Sequence, residues 1–376
     1  MRHRGSPSTR SIRAVDPETF LSHRFADLHG HIKGQCETIA PKMTSSAQIF
    51  GAPTFGSQIE VLDLRHFSAA QLRPLLFDEC ERWESRLRWD YTNSMELLLQ
   101  YLDSRVLPGF VALHGGRVIG YTFCVFEAAK AVIGDTYALG ESGTLNNPVC
   151  ETLLHHLIEM LQATPGVDRI ESQLLMFPLG ALASPYLSRG FHSFPRLFME
   201  QDFSESKPLA PQPALPASLK LQPWQPEFYE TAAELIHRSY AGHMDSHIND
   251  QYRSAHGSLR FLHNIVRFPG CGAFDAANSW VLRDERSGRL QAMVLSSRVR
   301  SDTGHVTQLC VAPELRGFGL GRILMQQCAS ELERSGGTSL SLTVTEENLN
   351  ARRLYDELGF RTVHRFEAMV WDGGSE

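Results

Sequence analysis

The chain has 376 residues, 42% of them hydrophobic and 21% charged, with a formal net charge of -6. That composition fills globular cores over two or three domains and argues against nucleic acid or an anionic membrane as an obligate partner; no apolar run is long enough to cross a bilayer. The seven cysteines include no Cys-x-x-Cys pair, so neither a disulfide framework nor a paired-cysteine zinc site is expected, and a reducing, cytoplasmic setting fits best.

Residues 1–55 carry Arg2, Arg4, Arg10 and Arg13 among Ser and Thr, with no apolar periodicity before Ile59. They read as a flexible extension, since the apolar core of a secretory signal is missing. Helical spacing follows over 67–86 and 94–102, then a hairpin of strands 109–113 and 117–126 around Gly115-Gly116, a helix over 149–161 and a strand over 170–176. After the motif Tyr186-x-x-x-Gly190-Phe191 comes a stretch with Pro208, Pro211, Pro213 and Pro216, an extended linker over 204–219. Beyond it the spacing predicts helices over 227–240 and 258–266, strands over 279–283, 290–298 and 305–311, and a helix over 320–334 that ends at Gly336-Gly337. A strand over 339–345, a helix over 349–358 stopped by Gly359, and a last strand ending near Trp371 complete the chain.

The second half repeats the order of the first. Tyr355-x-x-x-Gly359-Phe360 matches the earlier motif at an offset of 360 − 191 = 169 residues. A duplicated domain is therefore expected, with units over 56–203 and 220–373.

The chemistry concentrates at Val311-Ala-Pro-Glu-Leu-Arg316-Gly317-Phe318-Gly319-Leu320-Gly321-Arg322. Glycines there let the backbone approach a ligand, and the free amides at a helix start suit an anion such as pyrophosphate. Arg316 and Arg322 can add charge. The run is neither a Walker loop, which needs Gly-Lys-Ser/Thr, nor the Gly-x-Gly-x-x-Gly dinucleotide fingerprint.

These residues resemble the GNAT superfamily of N-acetyltransferases, which binds acetyl-CoA with Arg/Gln-x-x-Gly-x-Gly/Ala. Arg316, Gly319 and Gly321 match it, and a second family signature matches at Asn348-Leu-Asn-Ala351-Arg-Arg-Leu354-Tyr355-Asp-Glu-Leu358-Gly359-Phe360. The close match spans about 290–371, with looser agreement back to 220. The resemblance implies two tandem α/β acyl-CoA N-acyltransferase domains, each with a mixed, mainly antiparallel sheet flanked by helices. It implies acetyl-CoA as co-substrate, with the pantetheine arm along Leu309, Cys310 and Val311, the pyrophosphate on the amides of Gly317, Phe318, Gly319, Leu320 and Gly321, and Asn348 near the CoA arm. Tyr355 would protonate the leaving thiolate, as a neutral phenol can. The acceptor would be a primary amine of a small molecule or peptide.

The family often places a Glu on the strand before the loop; here that strand reads His305-Val-Thr307-Gln308-Leu309. Gln308 could position a water, and His305 has a suitable ordinary pKa but stands near the strand start. The polar segment Tyr240-Ala-Gly-His243-Met-Asp245-Ser-His247-Ile-Asn249-Asp250-Gln-Tyr252 lies where the family shapes its acceptor site, so Tyr240, His243, Asp245 and His247 are candidates for holding the amine or taking its proton. His-x-Asp-x-His lacks a further ligand, and no metal is expected. At the same 169-residue offset, Arg316, Gly319 and Gly321 fall on Asn147, Cys150 and Thr152, with Glu151 nearby to repel an anion; Gly140 and Gly143 leave a shifted loop open. One working site in a duplicated protein is the expectation. The rival reading is a non-catalytic acyl-CoA-binding or regulatory protein; a larger acyl donor or an O-acyl acceptor is a third.

Overall fold

The computed structural model describes residues 59–139, 147–205, 213–267 and 270–373. The expected N-terminal extension, Gly140 and Gly143, and the linker around Pro208 and Pro211 lie outside them.

In the first half, β1 (Glu60–Asp63) leads into α1 (Ala69–Leu87) and α2 (Thr92–Asp103). A meander of β2 (Gly109–His114), β3 (Arg117–Glu127) and β4 (Lys130–Ala138) follows, then α3 (Asn147–Gln162), β5 (Arg169–Gln173), the short α4 (Ala183–Leu187) and β6 (His192–Asp202). The second half runs β7 (Leu219–Pro223), α5 (Tyr229–Tyr240), α6 (Asp245–Ile248), α7 (Ala255–Arg267), β8 (Ala273–Phe274), β9 (Trp280–Asp284), β10 (Leu290–Arg300) and β11 (Thr303–Val311). It closes with α8 (Leu320–Arg334), β12 (Ser339–Thr345), α9 (Leu349–Glu357) and β13 (Arg361–Asp372).

Local signals explain most of these bounds. Gly319, in the left-handed region, precedes α8, and Ser335 and Gly336 end it. The apolar face read from the sequence, with Ile323, Leu324, Cys328 and Leu332, packs on Leu340, Leu342 and Val344 of β12. The opposite face of the sheet is covered by α5 and α7, whose Leu235, Ile236 and Leu262 meet Met293, Leu295 and Cys310. Strands β4 and β6 escape the periodicity reading. Gly134 and Asp135 interrupt the apolar pattern of β4, and Pro195 stands inside β6. Pro195 is tolerated because pairing with β12 begins one residue later, at Arg196.

The thirteen strands among the described residues belong to one sheet, ordered β1-β2-β3-β4-β5-β13-β6-β12-β11-β10-β9-β7, with β8 against β10. Of these strand pairs, β4·β5 and β11·β12 are parallel and the others antiparallel. The last strand of each half has crossed over. β13 pairs with β5 of the first half (Trp371 opposite Ile170), β6 pairs with β12 of the second (Asp202 opposite Ser339), and the two crossed strands pair with each other. Adding 169 to Ile170 gives Ser339, and subtracting 169 from Trp371 gives Asp202, so the exchange is symmetric. A division of the sequence at the linker is thus not a division of the sheet.

The 169-residue offset holds for β5, β6 and the Tyr-Gly-Phe motif but not for the phosphate loop. The strands that lead towards it, β4 and β11, start 303 − 130 = 173 residues apart. Counted this way, Gly321 corresponds to Pro148 in α3, rather than to Thr152, and the counterparts of Gly317 and Gly319 lie outside the described residues. No helix among the described residues is long and apolar enough to cross a membrane.

Candidate acyl-transfer site

Strands β11 and β12 pair from Thr303–Val306 against Ser339–Leu342 and then separate. Past that point β11 keeps β10 on one side through Val311, no strand among the described residues lies on its other side, and a wedge opens between the ends of β11 and β12. The phosphate loop and α8 follow β11; α9 follows β12. Tyr240, His243, Asp245 and Tyr355 gather around this wedge, beside the glycine-rich turn that precedes α8.

At its outer end the chain turns through Gly317 (φ 85°) and Gly319 (φ 76°), both left-handed. Ile323 is the first amide of α8 to reach a backbone partner, the Gly319 carbonyl at 3.1 Å. The amides of residues 317–322 have no hydrogen-bond partner among the described residues. Six free N–H groups at a helix start suit an anionic ligand. Gly321 also lets α9 approach, since a Cβ there would stand 3.3 Å from Leu354 Cδ2. A Cβ on Gly319 would meet Pro213 of the linker at 2.5 Å. The two arginines do not point at the loop. Arg316 donates to the Ser239 carbonyl at the end of α5 (2.5 Å), and Arg322 pairs with Glu357. Phe318 at the tip is 59% exposed. Asn348 caps α9, its Oδ1 accepting from the Ala351 amide at 3.2 Å.

At the inner end, buried Tyr355 leans on Phe360, and its hydroxyl has no hydrogen-bond partner among the described residues. Burial, with the nearby charge of Asp245 adding, pushes this phenol above its ordinary value, so it carries its proton at neutral pH. Asp245 stands at the start of α6. Its Oδ1 accepts from Thr345 Oγ1 at the end of β12 (2.5 Å), while its Oδ2 lies 3.6 Å from His243 Nδ1. His243 Nδ1 accepts the Asp245 amide at 3.2 Å; burial draws the ring below its ordinary value, Asp245 opposing and Arg316 adding. The imidazole is therefore neutral at pH 7, and the Asp245 carboxylate is not consumed by an ion pair.

Above the β11 edge, Tyr240 and Tyr252 stack at 4.2 Å, with His243 edge-on to Tyr240. Gln308 is locked between them: Tyr252 donates to its Oε1 (3.1 Å) and its Nε2 donates to Tyr240 (2.9 Å). With both amide ends engaged and the side chain buried, Gln308 holds the wall rather than a water. The Tyr240 hydroxyl in turn reaches the Leu309 carbonyl at 3.4 Å.

His305 and His247 are not brought to the wedge. His305 is enclosed by Trp89 and Phe198 and bonded at 2.9 Å to Ser341 Oγ, which itself donates to the Gly304 carbonyl. Burial, with Arg196 adding, draws it down to about 3. His247 is exposed and is held through its backbone, the amide donating to Met244 and the carbonyl accepting from Arg169. Tyr252 and Thr345 were not singled out from the sequence. Tyr252 could have been, at a helical approach to the same polar segment; Thr345 reads only as the end of a strand. Among the described residues no group of three His, Cys, Asp or Glu is placed to hold a metal ion.

The family model "Acetyltransferase (GNAT) family" matches residues 242–360, which span the wedge, the phosphate loop and Tyr355. Mycothiol acetyltransferase of Beutenbergia cavernae is 34% identical over 90 residues, 24% of this chain and 30% of that protein. The ribosomal protein bS18-alanine N-acetyltransferase of Escherichia coli K12 is 32% identical over 90 residues, 23% of this chain and 60% of that protein. Less than two thirds of either relative is covered. A solved tandem GNAT protein from the clavulanic acid biosynthesis pathway superposes with a TM-score of 0.53 over 85% of this chain and all of that one, at 16% identity. That likeness concerns the fold, and it extends over both halves. What these comparisons share is that residues 242–360 match the acetyltransferase (GNAT) family model.

Proposed function

We propose that the second half of the chain transfers an acetyl group from acetyl-CoA to a primary amine by direct attack. The observation that carries this reading is the convergence on one wedge of six unpartnered helix-start amides, a protonated unbonded Tyr355 and the Asp245 carboxylate. The amides of residues 317–322 would take the pyrophosphate, and the open edge of β11 from Leu309 to Val311 the pantetheine arm. Once the ammonium has given one proton to Asp245, its nitrogen attacks the thioester carbonyl, the C–S bond breaks, the thiolate takes the Tyr355 proton, and the second proton leaving the nitrogen restores the phenol. Asp245, 18% exposed and beside the Tyr240–Tyr252 stack, anchors the incoming ammonium and accepts its proton. A carboxylate next to electron-rich ring faces favours a cationic amine over a neutral or acidic acceptor. The first half, 56–203, is read as a repeat without a working phosphate loop.

Thiol release from acetyl-CoA across a panel of a free amino acid, a polyamine, an aminoglycoside and a peptide with a free N-terminus tests this. Amine-dependent release is expected. Bound CoA with no release above the buffer rate for any amine would favour a binding protein instead.

A further inference from the structure

Buried charge marks the seam between the halves. Lys130 at the start of β4 places Nζ 2.6 Å from Asp250 Oδ1, 3.2 Å from Glu171 Oε2 and 3.3 Å from Glu127 Oε2. Arg169 at the start of β5 donates to Glu171 (2.6 Å), to Asp372 (2.5 Å) and to the carbonyls of His247 (2.7 Å) and Ile248 (3.3 Å). Those two carbonyls end α6, where helices leave acceptors unsatisfied, so Arg169 caps the acceptor helix from the other half. Glu171 Oε1 accepts the Asp250 amide at 3.0 Å, and Gln251 Nε2 reaches Glu127 at 3.0 Å. Lys130, Arg169 and Glu171 are each under 10% exposed, a setting in which charges persist only when paired. For Lys130, burial alone would lower the pKa; Glu171, Glu127 and Asp250 outweigh it and hold the amine charged.

The segment they grip is short. Asp245 stands two residues before His247, and Tyr252 directly follows Gln251. Both ends belong to the wedge: Asp245 through Thr345, Tyr252 through Gln308 and Tyr240. We infer that the first half positions the acceptor loop of the second: Lys130, Arg169 and Glu171 hold residues 247–251 and through them set where Asp245 and Tyr252 stand. This rests on the reading of residues 240–252 as the acceptor wall. It assigns the first half a task that needs no CoA site of its own, and it makes these three positioning residues rather than catalytic ones.

The test uses the full chain with Asp250→Asn, which removes one charge of the cluster, and Arg169→Lys, which keeps the charge but loses the forked contacts. Hydrogen exchange is followed over 243–253 and over 317–324, CoA affinity by calorimetry, and KM for acetyl-CoA and for the panel amine with the highest kcat/KM. Faster exchange confined to 243–253, unchanged CoA affinity and an amine KM raised about tenfold with acetyl-CoA KM unmoved are expected, as misplacing a binding group costs at least that much. Exchange over 243–253 equal to wild type in both variants overturns the inference. So does a loosening shared by 317–324 with weaker CoA binding, which is general loss of structure. If the wild-type chain turns over no amine, the function reading fails, and the exchange and CoA arms still decide the positioning.

Discussion

Each half of the molecule contains one place where parallel strands part, and the two places differ in what they present. In the first half β4 and β5 pair from Lys130–Ile133 against Arg169–Ser172 and then separate, as β11 and β12 do. The bulge is conserved in position: the register slips after Ile133, just before Asp135, and again after Val306, just before Gln308, 308 − 135 = 173 residues on. Asp135 and Gln308 are thus counterparts, and each is gripped by a tyrosine hydroxyl. Asp135, however, is sealed in with Glu79, both carboxyls pushed up, chiefly by burial. Tyr186, the counterpart of Tyr355, gives its hydroxyl to a 2.8 Å hydrogen bond with Ser172, whereas Tyr355 keeps its own free. The same parting of parallel strands is therefore present in both halves. What separates them is whether polar groups are spent on each other or left for a ligand.

Exchanging the tyrosines probes this contrast most strongly. Tyr355→Phe should lower kcat for thiol release by about 100- to 1000-fold while leaving CoA affinity within a factor of two in calorimetry; Tyr186→Phe should leave kcat essentially at wild type. Equal effects from both would erase the functional asymmetry, and no effect from Tyr355→Phe would remove it as the acid. Next in size is Gly319→Val. A β-branched residue at φ 76°, pressed against Pro213, should weaken CoA binding by roughly 10- to 100-fold. Recovery on adding Pro213→Ala would assign the loss to the linker rather than to the loop.

The smallest effect concerns stability. His305 sits where the first half has Val132, 305 − 132 = 173 residues earlier. It is neutral when folded, at about 3, against 6.5 when exposed. Below 6.5 the unfolded chain binds a proton that the folded one refuses, so the histidine costs stability as pH falls from 6.5 towards 3. Urea melts of wild type and His305→Gln at pH 7, 6 and 5 should show the wild type losing about 1.4 kcal/mol more per pH unit below 6.5. Parallel curves would mean that His305 protonates in place.

Local chemistry made much of this legible in advance. The bounds of α8 and β12 follow from glycine punctuation and apolar period, and the strand-to-helix turn before α8 from Gly317 and Gly319. The strand exchange could not be read, because it is a choice of partner between β6 and β12, separated by more than a hundred residues, and nothing in either strand's own pattern names that partner. Gln308 could be placed on the right strand, but not its clamp, which depends on tyrosines from α5 and the loop after α6. The seam had a signal that periodicity overlooks: Lys130, Arg169 and Glu171 are charges inside apolar strands, where they must find partners.

The crossed strands also change what a broken chain would be. Cut between Glu205 and Pro213, the molecule would fall into two polypeptides, each keeping one neighbour of its own β5 or β12 and losing the other. Each piece would expose a hydrogen-bonding edge that the other piece's last strand covers in the intact chain. Expressed separately, the two fragments should complement each other, and their reassembly could be read as co-elution of the pair.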